Sequence, residues 1–586
     1  MSTHTLTTRL TSLCMALLMA SCGGGQDASN KSTTEAGDPD ARLTITAAMV
    51  PESDADAYRF LTQATFGPTP ADVARVKKIG YDNWIDEQFN ARLQSSHLAM
   101  AEASGAYRKA STPDATDVLD SWWTHAVKDP AQLRQRVAFA LSEIFVVSSV
   151  AVGNGRTVAS YLDMLTDQSN GRYRDLLQKV SLHPAMGQYL SHLANRKEDT
   201  KSGRVPDENY AREVMQLFSI GLYELDDAGK PLAGHIETYN ADDVKGLAKV
   251  FTGWSWNWPK WDAAKAALEW WRCFWRFNEC RDPSQDVTEM TAYPLEHSTS
   301  ARVVLGASSP AQATPDPTGD LANALDRLAN HKNTAPFISR QLIQRLVTAN
   351  PSDAYVRDVA AVFKSSGGSI KDVVKAILLH QEARHPELYD PATYGKLREP
   401  VLRLTQLLRA VPHNSTAYNG NLASGTTAFY LANETDSSSS ALGQSPMRSP
   451  SVFNFFRPGY SPSQTLIGDA KLVSPEMQIT NETSVLSYAN FVTGILRDGW
   501  GQWNSTVNKY DIQFDTSVWL PLVAQPDALL DAVALRLLGQ TLPVDVKAQA
   551  LTALASMSVA DDNRKRQRIN AAILLVAVSP GFTVQQ

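Results

Sequence analysis

From residue 53 onward one pattern recurs along the chain: a capping residue, an apolar stripe at a period near 3.6, then glycine or proline. That spacing predicts helices. Thr69-Pro70-Ala71-Asp72 supplies an N-cap, a proline at the first helical position and an acid at the third, with Val73 and Val76 turned inward and Gly80 at the stop. YDNWIDEQFNAR continues as helix with Trp84, Ile85 and Phe89 on one side. Asp129-Pro130 opens another, with Leu133, Val137, Leu141 and Ile144 on its inner face and Arg134, Arg136 and Glu143 facing water. Further helices are expected at about 172–182, 207–222, 240–252, 320–349, 352–364, 369–384, 395–410, 474–497, 526–539, 543–557 and 561–578. Strand-like alternation is scarce, so the fold class is mostly α, a large multi-helical body with long irregular loops. Residues 412–445 break the pattern and read as a long exposed loop that packs partly through Phe429, Tyr430 and Leu431.

The first 25 residues follow a different rule. Arg9 precedes an apolar run from Leu10 to Ala20, and Ala20-Ser21-Cys22 is followed by Gly23, Gly24 and Gly25. This is the pattern of a bacterial lipoprotein signal: small residues before a cysteine that becomes the lipidated N-terminus. The expected organisation is a signal peptide at 1–21, lipidation at Cys22, a flexible tether at 22–50, a main helical region at 51–412, a loop-rich insertion at 413–465 and a C-terminal helical region at 466–586. The implied location is the cell envelope. Gly23, where an Asp would argue for retention, favours the outer membrane or a periplasm-facing anchor.

Composition narrows the partners. The 586 residues are 43% hydrophobic and 20% charged, and no apolar run after the signal approaches the roughly 20 residues of a membrane-spanning helix. A net charge of −6 argues against nucleic acid, whose backbone needs a basic face. Of four cysteines, Cys14 falls in the signal and Cys22 takes lipid, leaving Cys273 and Cys280 as an expected disulfide in an oxidising compartment. On one continuous helix their Cα atoms would lie about 10 Å apart, beyond the roughly 7 Å a bridge allows, so the helix must break between them.

Chemistry concentrates in two places. Trp254, Trp256, Trp258, Trp261, Trp270, Trp271 and Trp275 fall close together with Phe274 and Phe277. Such a cluster packs a core edge, or it presents flat indole faces to sugar rings or to a protein partner. Pro206-Asp207-Glu208-Asn209-Tyr210-Ala211-Arg212-Glu213 opens a second helix, with Glu208 and Arg212 spaced as an i, i+4 ion pair. Glu208 or Glu213 with Arg212 and a distant His297 is the candidate catalytic set, as general base or metal ligand. His183, His192 and His235 are the other histidines in polar company. No cofactor motif, metal-ligand spacing, phosphate-binding glycine loop or nucleophile elbow is present, which leaves both a reaction and a metal undetermined.

Seven segments taken in order resemble one bacterial family, domain of unknown function 1800: YRFLTQATFGPTPADVARVKKIGYDNWIDEQF, LRQRVAFALSEIFVVS, VSLHPAMGQYLSHLANRK, PDENYAREVMQLFSIGLYEL, ADDVKGLAKVFTGWSW, FISRQLIQRLV and SPSVFNFFRPGYSP. The resemblance spans roughly residues 55–580 and is carried most specifically by Asn209 to Glu213 and by Phe251-Thr252-Gly253-Trp254. It implies a mostly helical exported protein without an assigned reaction, and a second exported protein with a sulfatase-like fold as partner. Relatives carry a histidine where this chain has Phe218, and His297-Ser298-Thr299-Ser300 is similar to a later histidine-bearing turn of the family. The leading expectation is a lipid-anchored envelope protein that binds or assembles with that sulfatase-like partner. The alternatives are a hydrolase of an envelope polymer using the Glu/His set, and a polysaccharide-binding protein using the tryptophans.

Overall fold

The computed structural model describes residues 50–258, 263–424 and 427–586; the signal peptide, Cys22, nearly all of the tether and Trp261 lie outside the described residues. Helices dominate, joined by short antiparallel strand pairs. The expected start at Thr69 is present in full: its hydroxyl caps Asp72 N–H, the Asp72 carboxylate returns to Thr69 N–H, and the helix Pro70–Ile79 stops at Gly80. Tyr81–Asn90 follows with Trp84, Ile85 and Phe89 buried, as their spacing requires. Most later helices lie within a few residues of their expected bounds, among them Tyr173–Leu182, Asp353–Ser365, Pro526–Leu538 and Asp562–Ala577.

Three expectations are corrected. The stretch 320–349 is two helices, Pro317–Ala329 and Thr334–Leu346, broken at His331–Asn333, where the Asn333 side chain turns to brace another segment. The stretch 412–445 is exposed only in part, as at Ser437 to Ser440, and Phe429, Tyr430 and Leu431 pack inward as expected. It holds a strand at His413–Ser415 and a helix at Thr416–Ser424, and Ala428 to Ala432, Ala441 and Leu442 are buried. The buried carboxylate of Asp511 orders this polar text by accepting from Ser415 Oγ and from the Ala417 and Leu431 N–H groups. Finally, Arg136 and Glu143 do not face water; both are buried, for reasons that belong to the site below.

One apolar core runs from Ala57 to Phe582. Distant segments meet in it: Tyr58 donates to the Arg536 carbonyl, Lys396–Leu397 pairs with Val584–Gln585, and the Gln585 amide donates to the carbonyls of Leu346 and Val347. A satellite cluster holds Cys273, Phe274, Cys280 and Tyr293. The helix Ala263–Phe274 ends between the two cysteines, Arg276 turns at φ 54°, and the cysteine Cα atoms come to 5.1 Å, so the required helix break is present. Among the described residues no helix is long and apolar enough to cross a membrane.

Candidate functional site

The PDENYARE helix is shorter than its apolar run. It spans Asn209–Gln216, then widens: Phe218 N–H reaches five residues back to the Glu213 carbonyl, and Ile220 and Gly221 N–H both reach the Met215 carbonyl. Gly221 takes φ 73°, and a Cβ there would lie 3.0 Å from the Phe337 ring, so this turn requires glycine. The chain then makes an antiparallel excursion, with Glu224 N–H on the Ile236 carbonyl and Thr238 N–H on Leu222. Buried Asn333 ties its base. Its amide donates to the carbonyls of Ile220 (2.9 Å) and Tyr223 (2.8 Å), and its oxygen accepts from Leu225 N–H (3.1 Å).

Between this excursion, the helix Thr334–Leu346, the end of the helix Gln132–Ser142 and the segment 452–459 lies a cleft of about 460 Å³. That is the size of a small-ligand or peptide-end site. Leu217, Leu222, Tyr223, Phe337, Val452 and Phe453 form apolar walls, and buried Glu143, Gln341, Gln344 and Arg345 form the floor. Four of the seven resemblance segments line it: LRQRVAFALSEIFVVS through Glu143 and Ile144, PDENYAREVMQLFSIGLYEL through Gln216 to Leu225, FISRQLIQRLV through Phe337 to Arg345, and SPSVFNFFRPGYSP through Val452 to Gly459.

Beneath the floor lies a buried charge network. Arg136 donates to the Arg345 carbonyl (2.7 Å), Arg345 to the Glu143 carbonyl (3.1 Å), and Asn454 to the Glu143 carboxyl (3.0 Å). Lys396 pairs with Glu476 at 2.9 Å while donating to the carbonyls of Gln344 and Arg345, and Gln444 donates to Glu399. Burial, and then the neighbouring Glu399 carboxylate, push the Glu143 carboxyl up to about 8. Burial also works against an ionised Glu399, yet Lys396 and Arg136 hold its carboxyl below the usual range. The two acids therefore share one charge, Glu399 carrying it. Buried polar atoms here without a hydrogen bond include Arg345 Nε, Gln341 Nε2, Arg136 Nε and Nη1, Glu143 Oε2, Glu399 Oε1 and Glu476 Oε2.

The candidate catalytic residues are placed as follows. Glu208 and Arg212 form the expected ion pair, at 3.6 Å and on the surface. Glu213 is buried, with Oε2 unpartnered and its carboxyl raised by burial against the pull of Arg212. His297 is fully buried in a different polar cluster, one ring nitrogen 2.8 Å from the Thr252 carbonyl and the other 2.9 Å from Asp320, so both are engaged. The segment motifs explain that cluster. Gly253 sits at φ 78°, where a Cβ would lie 2.8 Å from His297 N, and Thr252 Oγ1 accepts from Ser298 N–H. Tyr210 is likewise braced, stacked on His192 at 3.9 Å and bonded to Ser181. Burial lowers His192 to about 4 and His183 to about 3, which keeps both neutral. Phe218 packs on Phe145 in the core.

The tryptophans divide. Trp254 is buried, Trp256 lies under the Arg276 guanidinium at 4.1 Å, and Trp258 and Trp270 are half-buried against the cysteine cluster. Trp271 and Trp275 are exposed, Trp271 edge-on to Phe277 and Trp275 edge-on to Phe274. Among the described residues no group of three or more His, Cys, Asp or Glu side chains is placed to hold a metal ion.

The cleft residues Gln341, Arg345 and Arg457 are absent from the sequence expectations, although a signal for two of them existed. Phe337, Gln341, Gln344 and Arg345 recur at i, i+4, i+7 and i+8, the spacing of a helix's inward face, and polar residues at that spacing mark a polar site in the core. Nothing local marks Arg457. A family model described as a protein of unknown function, DUF1800, matches residues 59–584. No curated protein and no solved structure matches the chain.

Proposed function

The chain belongs to the DUF1800 family, and on that footing we propose that it is a lipid-anchored protein of the cell envelope, held at Cys22, that binds and assembles with another exported, sulfatase-like protein through the cleft between Leu222, Phe337 and Phe453. The observation that carries this reading is the convergence of four separate resemblance segments on one apolar-walled cleft. Segments up to about 300 residues apart in the chain meet there and expose apolar side chains, which a structural role alone does not require. A disulfide between Cys273 and Cys280 accords with export into an oxidising compartment.

The test is a gentle detergent pull-down of the full lipoprotein from its own envelope, with proteins identified by mass spectrometry and metals by elemental analysis of the same eluate. The expected result is a stoichiometric sulfatase-like protein that Phe337→Ala loses. A lone chain with a stoichiometric metal would overturn the reading in favour of a metal-dependent enzyme. A second reading, polysaccharide binding, is favoured by Trp271 and Trp275, which are 42% and 48% exposed. Unchanged retention on insoluble glycans in Trp256→Ala and Trp271→Ala removes it.

A further inference from the structure

A second cleft, of about 530 Å³, lies between the loop 110–113, the start of the helix Gly155–Gln168 and the segment 276–286, and its size is that of a small-ligand site. Its charges cancel: Arg156, Arg276 and Arg281 line it against Glu102, Asp282 and Asp286. They alternate as a chain, in which Glu102 pairs with Arg156, Arg156 lies 3.8 Å from Asp286, and Asp286 pairs with Arg276 at 2.6 Å. Pairing fixes these side chains without exhausting them, because a paired carboxylate keeps further lone pairs and a paired guanidinium further N–H groups. The Glu102 side chain is 42% exposed, and Arg281 is exposed and makes no ion pair among the described residues. Ser111 and Thr112 add exposed hydroxyls. Such a lining offers little to an ion, whose charge it does not balance. It suits a ligand whose many hydroxyls both donate and accept.

Arg276 joins this cleft to the aromatic cluster. Its guanidinium stacks 4.1 Å over Trp256 while its Nε donates to Gln285 at 2.9 Å, and exposed Trp275 directly precedes it, one helical turn after exposed Trp271. Cys273 and Cys280, 5.1 Å apart at Cα, close the loop that carries it, so this wall is set before a ligand arrives. Resting on the polysaccharide-binding reading, we propose that the cleft binds an uncharged glycan. Glu102, Arg281 and the Arg156–Asp286 pair meet its hydroxyls, and the glycan chain continues over Trp275 and Trp271, whose flat apolar faces take the C–H face of a sugar ring.

The experiment is calorimetric titration of the full-length protein in a polyoxyethylene detergent, which carries no sugar, with cellopentaose, with penta-N-acetylchitopentaose and with inorganic sulfate. Binding of at least one oligosaccharide is expected, weakened about 10-fold by Arg281→Ala and by Glu102→Gln, the worth of one hydrogen bond to a charged group. The Arg281 side chain makes no hydrogen bond or ion pair within the described residues, so Arg281→Ala keeps the thermal midpoint and its loss of affinity is a loss of binding. Binding of neither oligosaccharide overturns the proposal, as does an affinity that both variants leave unchanged, or binding of sulfate in place of the sugars. The two readings fail separately. Retention on insoluble glycans that Trp271→Ala loses and the two cleft variants keep sinks only the cleft. Oligosaccharide binding that the cleft variants lose, with retention unchanged in Trp256→Ala and Trp271→Ala, sinks only the tryptophan surface.

Discussion

Arg345 Nε and Glu143 Oε2 lie 3.4 Å apart at the floor of the cleft, and neither atom makes a hydrogen bond. With Glu143 holding its proton the contact is a guanidinium beside a neutral carboxyl, and donor and acceptor are misaligned, so neither group is satisfied by the other. Neighbours supply the bracing instead: Asn454 holds the carboxyl and Arg136 holds the Arg345 carbonyl. The floor is thus braced by its neighbours yet keeps buried polar atoms without hydrogen bonds.

That geometry makes stability depend on pH through Glu143. Its carboxyl rises from 4.5 to about 8 on folding, so between those values the folded chain holds a proton the unfolded chain has lost. The stability contribution is fully present below about 4.5 and is lost as pH rises through about 8. Chemical denaturation of wild type and Glu143→Gln should show the wild type losing ground to the variant between about pH 5 and 8.5. Parallel curves would show that Glu143 ionises in the folded protein as it does in the unfolded one.

Asn333→Ala removes three hydrogen bonds that seat the 220–225 turn and leaves the buried Ile220 carbonyl, and the partly buried Tyr223 carbonyl and Leu225 N–H, without this partner. A loss of about 2 to 4 kcal/mol is expected, at roughly 1 to 3 kcal/mol for each group left unsatisfied. Hydrogen exchange should rise first at Leu225 and its neighbours. Protection unchanged there would mean that the turn is held by its own packing.

Cys273 and Cys280 are placed for a bridge that closes a short loop beneath the exposed tryptophans. The non-reduced protein should carry no free thiol at these positions, and Cys280→Ser should cost about 2 kcal/mol by the loop-entropy argument. Thiol alkylation followed by peptide mass mapping reads the pairing. Two alkylated cysteines without reductant would rule the bridge out.

Lipidation predicts that the mature chain begins at Cys22 with an acylated mass and that Cys22→Ser moves the protein out of the membrane fraction. Fractionation of the two forms, probed for the folded body, decides it. A Cys22→Ser chain that stays with the membrane would place the anchor elsewhere.

Helix positions were legible because they rest on local physics. Thr69 with Asp72, and Asn240 with Asp243, cap their helices through atoms three residues apart, and Val73, Val76, Trp84 and Phe89 are inward by periodicity alone. The requirement for a helix break between Cys273 and Cys280 also followed from rise per residue. Periodicity failed where a polar residue is buried by partners far along the chain. Arg136 falls beside the inner stripe of its helix, and what keeps it inside is the Arg345 carbonyl and the Glu399 carboxylate, both more than 200 residues away.

The same division separates the motifs from their meaning. Sequence by itself determined the family, the helical class, the net negative charge and the signal-like pattern of the N-terminus, since each is carried by composition or by spacing within one segment. Only the tertiary structure decided that Glu143, Gly221, Arg345 and Phe453 line one cleft while His297 is spent on Thr252 and Asp320. Long-range packing and the sharing of a buried proton depend on distances between segments, and no local pattern encodes those distances.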